Sequence, residues 1–237
     1  MIYTWASASD VGLLRDHNED AVHPQDDGQT AGLLVAGVAD GLGGHVGGEV
    51  ASRLALQAAV AEEGPPGARV AAANSAVVRS VIQDPRLAGM GTTLTLGIFD
   101  DDGTLAIGHV GDSRAYLYRS GRLRQLTTDH SLVAELLEAG KIRPEEVETH
   151  PHRSVVTRAL GMGALVEADE LQQPLEDGDR VLLCTDGLTT MVPDDAIEEL
   201  LEESPTPTEA VWALVEAANK AGGADNVSVV VVDVTTE

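Results

Sequence analysis

Four aspartates share one local setting, and that setting constrains the fold more than any other feature of the 237-residue chain. Asp40 and Asp186 each close a short apolar run and precede glycine. Asp112 follows Val110-Gly111, and Asp225 follows Gly222-Gly223-Ala224 just before the last apolar run. Short apolar runs bounded by turn residues read as buried strands. Carboxylates at strand ends can converge on one rim, and neighbouring glycines let backbone carbonyls come close enough to add oxygen ligands. Converging carboxylates repel one another unless they are protonated or bridged by cations. An oxygen-only donor set suits hard Mg²⁺ or Mn²⁺, and no Cys/His zinc spacing is present. Any one Asp-Gly reads as a turn; four in the same setting read as a candidate metal centre.

Charge and composition narrow the partners. The formal net charge is −24, from 39 acidic and 15 basic residues. Such a surface repels a nucleic-acid backbone, and 3% aromatic content leaves little with which to stack bases. The same charge serves solubility. Hydrophobic residues make up 43% of the chain, so a core of Val, Leu, Ile and Ala is expected. Cys184 is the one cysteine and lies in the apolar run Val181-Leu182-Leu183-Cys184, which predicts a buried structural thiol and a reducing compartment. The N-terminus lacks a basic-then-apolar leader, and no apolar run approaches the roughly 18–20 residues of a membrane helix. The expectation is one soluble cytoplasmic domain over residues 1–237, monomeric by default.

Element order predicts the architecture. Strands are expected at residues 33–39, 92–99, 105–110, 115–119, 181–185 and 227–234. Helices are expected at 49–61, 70–82, 132–139, 195–203 and 208–221. The glycine-rich stretch 41–48 reads as a turn, and 140–160 as an irregular insertion over a site. Helices in pairs and strands in runs fit α+β layers around antiparallel sheets better than βαβ alternation.

A second chemical cluster is Arg15-Asp16-His17-Asn18-Glu19-Asp20. Arg15 offers a planar fork for phosphate oxygens, and Glu19 and Asp20 could hold metal-bound waters. A solvated charged turn would carry the same residues. His150 and His152, with Arg143 and Arg153, read either as a basic patch for phosphopeptides or as a solvated loop.

Taken in order, these segments resemble the PPM (type 2C) metal-dependent phosphatases in bacterial form. The residues that carry the likeness are Arg15 with Asn18-Glu19-Asp20, Val38-Ala39-Asp40-Gly41-Leu42-Gly43-Gly44-His45, and Gly91-Thr92-Thr93. They continue with Val110-Gly111-Asp112-Ser113-Arg114, Asp129-His130-Ser131, Thr157-Arg158-Ala159-Leu160-Gly161, Thr185-Asp186-Gly187 and Asp225-Asn226. The resemblance implies a central antiparallel β-sandwich flanked by helix pairs, with a flap at 131–160. It implies two Mn²⁺ or Mg²⁺ ions: Asp40 bridges them, Asp186 and Asp225 complete one, and the Gly41 carbonyl serves the other. Glu19 acts mainly through water. Asp112, with Asp186, matches a third, weaker ion site, and Arg15 grips the substrate phosphate. The implied reaction is hydrolysis of phosphoserine and phosphothreonine in proteins by a metal-bridging hydroxide, opposing a cognate Ser/Thr kinase.

Leu42 stands where many eukaryotic members carry a histidine proton donor. His45 is the candidate replacement here, and a locally bonded helix-entry residue is the alternative. Two other functions fit parts of the sequence. A pseudophosphatase would keep the fold without turnover, yet all four aspartates are present. A dinucleotide loop at 41–47 fails the usual glycine spacing at Val46, and Asp40 would repel a pyrophosphate.

Overall fold

The computed structural model describes residues 1–237 apart from 44, 45, 148 and 237. The chain opens with β1 (Ile2–Asp10), β2 (Ala21–His23), β3 (Gly28–Thr30), β4 (Leu34–Ala39) and β5 (Gly41–Leu42). Helices α1 (Val46–Ala61) and α2 (Pro66–Gln83) precede β6 (Gly91–Thr92), β7 (Leu94–Phe99), β8 (Thr104–Val110), β9 (Arg114–Arg119) and β10 (Arg122–Gln125). Next come α3 (Leu132–Glu138), α4 (Pro144–Val147), β11 (Asp169–Pro174) and β12 (Arg180–Cys184). The chain finishes with α5 (Asp186–Thr189), α6 (Asp194–Glu203), α7 (Pro207–Lys220) and β13 (Val227–Thr235).

One sheet has the order β10-β9-β12-β13-β1-β3 and the other β11-β8-β7-β4-β2, with β5 and β6 paired separately. Every pairing among the described strands is antiparallel. Successive strand residues face opposite sides, and that parity separates three cores. Val230, Val232 and Val234 of β13 meet Val181 and Leu183 of β12 and Leu34, Ala36 and Val38 of β4 between the sheets. The alternate residues Val229, Val231, Leu182 and Cys184 pack against Ile197 of α6 and Val211 and Leu214 of α7. On the far side, Ala51 and Ala55 of α1 and Val70 and Val77 of α2 cover Leu94 and Leu96 of β7. The layers therefore run helix pair, sheet, sheet, helix pair, as the element order predicts. Each buried Val or Leu contributes about 1.5–3 kcal/mol on transfer from water.

Several elements differ from the expectation. Helix α2 starts at Pro66, earlier than expected: a proline at the start of a helix loses no hydrogen bond, so the Pro-Pro pair opens the helix rather than standing apart from it. Helix α1 starts at Val46, inside the stretch read as a turn. The strand expected at 92–99 is split at Thr93, and a helical turn, α5, begins at Asp186 itself. Strands β1 and β11 lie outside the expectation; their sequences, IYTWASASD and DELQQP, carry small and polar residues in place of an apolar run. Strand β10 completes a hairpin with β9 whose turn was legible at Ser120-Gly121.

Register brings the chemistry to one end. Ala21 pairs with Ala39, so the start of β2 lies beside the end of β4. Leu94 pairs with Val110, and Cys184 with Val229. In an antiparallel pair the end of one strand neighbours the start of the next. Glu19 and Asp20, Asp40, Asp112, Asp186 and Asp225 all leave the sheets at these junctions.

Candidate metal centre

Asp40 is positioned through its backbone. Its N–H donates to Thr93 Oγ1 at 2.9 Å, while its carbonyl accepts from Thr93 N–H at 2.9 Å and Thr92 Oγ1 at 2.7 Å. Thr93 Oγ1 also lies 2.7 Å from Ser113 Oγ, which ties the Asp40 turn to the Asp112 turn. The adjoining Gly41 has no room for a side chain: a Cβ there would collide with the Gly48 carbonyl oxygen and stand 2.6 Å from that of Glu19. Gly187 is equally constrained, since a Cβ would overlap the Asn226 carbonyl oxygen.

Asn226 holds the charged N-terminal loop. Its Nδ2 donates to the carbonyls of Val11 and His17, both at 2.9 Å, and its Oδ1 accepts from Glu19 N–H at 2.8 Å. Asp20 accepts a bond from Thr185 Oγ1 at 2.8 Å, and Thr185 Oγ1 accepts from Ser228 N–H at 3.0 Å. Thr92, Thr93, Thr185 and Asn226 are positioning residues beyond the expected set. Their roles run through backbone groups far away in sequence, so spacing alone offers no signal for them. Asp20 stood in the N-terminal motif, but its burial beside Thr185 depends on strand register.

These elements enclose a cleft of about 420 Å³, lined by Arg15, Glu19, Asp40, Gly41, Asp112, Asp186 and Asp225. Every expected site residue that falls within the described residues is there; His45 lies outside them. His17 is exposed at the cleft mouth. His130 is buried beneath the 131–160 segment, and its Nδ1 accepts from Gly111 N–H at 3.0 Å. Arg143 pairs with Glu145 at 3.1 Å and Glu146 at 3.3 Å, which compensates one of the two arginines of the positive patch considered for this segment.

The carboxyls crowd one another. Burial, with Asp186 and Asp225 nearby, pushes Asp20 up to about 7 against bonds from Ser228 and Thr185. Burial, then Asp186 and Asp129, pushes Asp112 up to about 7. Burial and Asp225 bring Asp186 to about 6, and Asp40 is raised well above the usual carboxylate range by burial and four neighbouring aspartates. Arg15 answers part of this charge: its Nη2 donates to Asp225 Oδ2 at 2.6 Å.

Divalent cations fit this arrangement. Asp20 Oδ1 and Asp186 Oδ1 are buried yet accept no hydrogen bond, which is costly for a carboxylate unless a cation or water supplies the partner. The donors are oxygens throughout, as Mg²⁺ and Mn²⁺ prefer. Among the described residues no three acidic, histidine or cysteine side chains close into a cage. Sites of one or two carboxylates that leave water in the ion's shell are characteristic of Mg²⁺.

The sandwich and its carboxylate rim thus define a cleft of the class that holds hard divalent cations. A family profile described as Protein phosphatase 2C matches residues 15–221, and the chain belongs to that family. Serine/threonine protein phosphatase PstP of Mycobacterium tuberculosis is 43% identical over 243 residues, taking in 99% of this chain and 45% of that protein. The chain therefore spans about half the length of that relative. Serine/threonine phosphatase stp of Listeria monocytogenes is 39% identical over 240 residues, covering 95% of this chain and 93% of the relative. The crystal structure of the M. tuberculosis phosphatase PstP/Ppp superposes with a TM-score of 0.91 at 41% identity, over 100% of both chains. The PstP catalytic domain in complex with two manganese ions gives 0.88 at 40% identity, over 99% of both.

Proposed function

We propose that the chain is a metal-dependent phosphatase of phosphoserine and phosphothreonine in proteins, opposing a Ser/Thr kinase. The observation that carries the reading is the carboxylate rim itself: Asp40, Asp112, Asp186, Asp225 and Glu19 line one cleft, and buried oxygens of Asp20 and Asp186 lack hydrogen-bond partners. The relatives' names, and the two manganese ions of one related structure, support it.

Asp40 would bridge two ions, Asp186 and Asp225 would complete one, and the Gly41 carbonyl would serve the other. Asp112 with Asp186 would hold a weaker third, and Glu19 would act through water. Bound there, Mn²⁺ or Mg²⁺ would supply the hydroxide nucleophile and neutralise the phosphoryl oxygens. Arg15 sits at the cleft mouth with a fork that matches two phosphate oxygens. A phosphate entering the cleft competes with Asp225 for that fork. Water adds to phosphorus, the seryl or threonyl oxygen leaves with a proton, and inorganic phosphate is released. His45 is the candidate donor of that proton. The 131–160 segment lies over one edge of the cleft through Ser154 and Val156, consistent with a flap.

Among the described residues no helix is long and apolar enough to cross a membrane. The lone, buried Cys184 fits a reducing cytoplasm, with the protein working as a monomer. Hydrolysis of a phosphothreonine peptide with Mn²⁺, with Mg²⁺ and with excess chelator tests the proposal. Phosphate release that needs the metal and stops with chelator is expected. A folded, metal-binding protein that releases none would be a binding module instead.

A further inference from the structure

A second cleft, of about 580 Å³, opens beside the first and shares Asp112, Ser154 and Asp186 with it. The metal centre makes no use of its remaining walls. One wall is aliphatic. Val133 of α3 and Val147 of α4 approach from the 131–160 segment, and Met191 and Val192 from the turn after α5. Val133 and Val192 are buried, whereas Val147 and Met191 are half-buried.

The polar wall holds two arginines in different states. Arg114 is neutralised by Asp129, with Nε–Oδ1 at 2.9 Å and Nη2–Oδ2 at 2.7 Å. Arg153 is exposed, and its guanidinium has no ion pair or hydrogen bond among the described residues. A track therefore runs from the acidic cation site to an aliphatic trough edged by Arg153, a positive charge with no ion pair among the described residues. A phosphorylated side chain in the first cleft leaves its chain neighbours over the second, because extended peptide residues advance only about 3.3 Å each.

We propose that the second cleft is a subsite for the substrate peptide, taking an aliphatic side chain that flanks the phosphoresidue, with an acidic side chain of the same peptide at Arg153. The inference rests on the phosphatase reading above and names the peptide chemistry that reading leaves open. The trough supplies the apolar contact and Arg153 the complementary charge; neither belongs to the chemistry at phosphorus. Their effect falls on peptide selection and leaves small phosphate esters untouched.

A panel of phosphothreonine peptides tests this, each with one leucine at a different flanking position in an alanine and serine background. 4-Nitrophenyl phosphate, too small to span both clefts, is the control. Leucine at one position is expected to raise kcat/KM about tenfold over alanine, the scale of burying such a side chain. Met191→Ser and Val147→Ser should abolish that preference while turnover of the small ester is unchanged. Arg153→Glu, on an exposed segment, should reverse a preference for glutamate over lysine beside that leucine.

Equal rates for every leucine position overturn the subsite, as does a leucine preference that survives both serine variants. If those variants lose the small-ester activity through misfolding, Arg153→Glu decides: an unaltered charge preference overturns it. A wild-type chain that turns over neither peptides nor the small ester with metal defeats the phosphatase reading itself, and the subsite with it.

Discussion

Arg15 answers to two groups: it neutralises Asp225 across 2.6 Å and faces the cleft where a phosphate would arrive. About half of its side chain is exposed, so the pair with Asp225 adds little stability. Arg15→Ala is expected to raise the apparent KM for a phosphothreonine peptide about tenfold, the scale of a charged hydrogen bond, with Mn²⁺ affinity retained. Steady-state kinetics with a parallel Mn²⁺ titration check it; an unchanged KM would argue against phosphate gripping. The four aspartates and Arg15 were legible in the sequence because each sits in a short motif whose chemistry is local. Asn226 and Thr93 were not legible as site residues. Asn226 reaches Val11 and His17 across more than 200 positions, and Thr93 reaches Asp40 across 53. Their hydrogen bonds exist only once β13 lies beside β1 and β4 beside β7.

Among the elements, α6 shows how charge rather than apolar packing fixes a helix end. Arg180 pairs in two prongs with its cross-strand neighbour Asp233, at 2.6 and 2.8 Å. Its Nη1 donates to the carbonyls of Leu201 at 2.7 Å and Ser204 at 2.8 Å, partners the end of a helix otherwise lacks. Arg180→Ala strands both Asp233 and those carbonyls and should cost about 3 kcal/mol in urea unfolding. A loss under about 0.5 kcal/mol would show that water replaces the guanidinium there. Helix pairs and the apolar strands were readable from periodicity. Strand β1 was not, because its inward residues include Ala6 and Ala8, too small to mark an alternation, and its length is set by pairing with β13.

At the scale of the molecule, the rim is a cost that the fold carries until cations arrive. Asp20, Asp40, Asp112 and Asp186 all take protons more readily in the folded state than when unfolded. Their contribution therefore favours the ion-free fold at acid pH and is lost as pH rises through about 6 to 7. Cations replace those protons, so affinity should rise with pH and binding should release protons. The rise in Tm on adding Mn²⁺ should accordingly be larger at pH 8 than at pH 5.5, by thermal melts of the same stripped protein; an equal rise would contradict the linkage. Calorimetric titration of Mn²⁺ into chelator-stripped protein, wild type beside Asp40→Asn, reads out directly whether the rim holds divalent cations through Asp40. The wild type should bind Mn²⁺ with an enthalpy that changes with buffer as protons are released, and Asp40→Asn should lose that binding. A wild-type chain that binds no Mn²⁺, or an Asp40→Asn variant that binds it undiminished, would show that the carboxylate rim is not a metal centre.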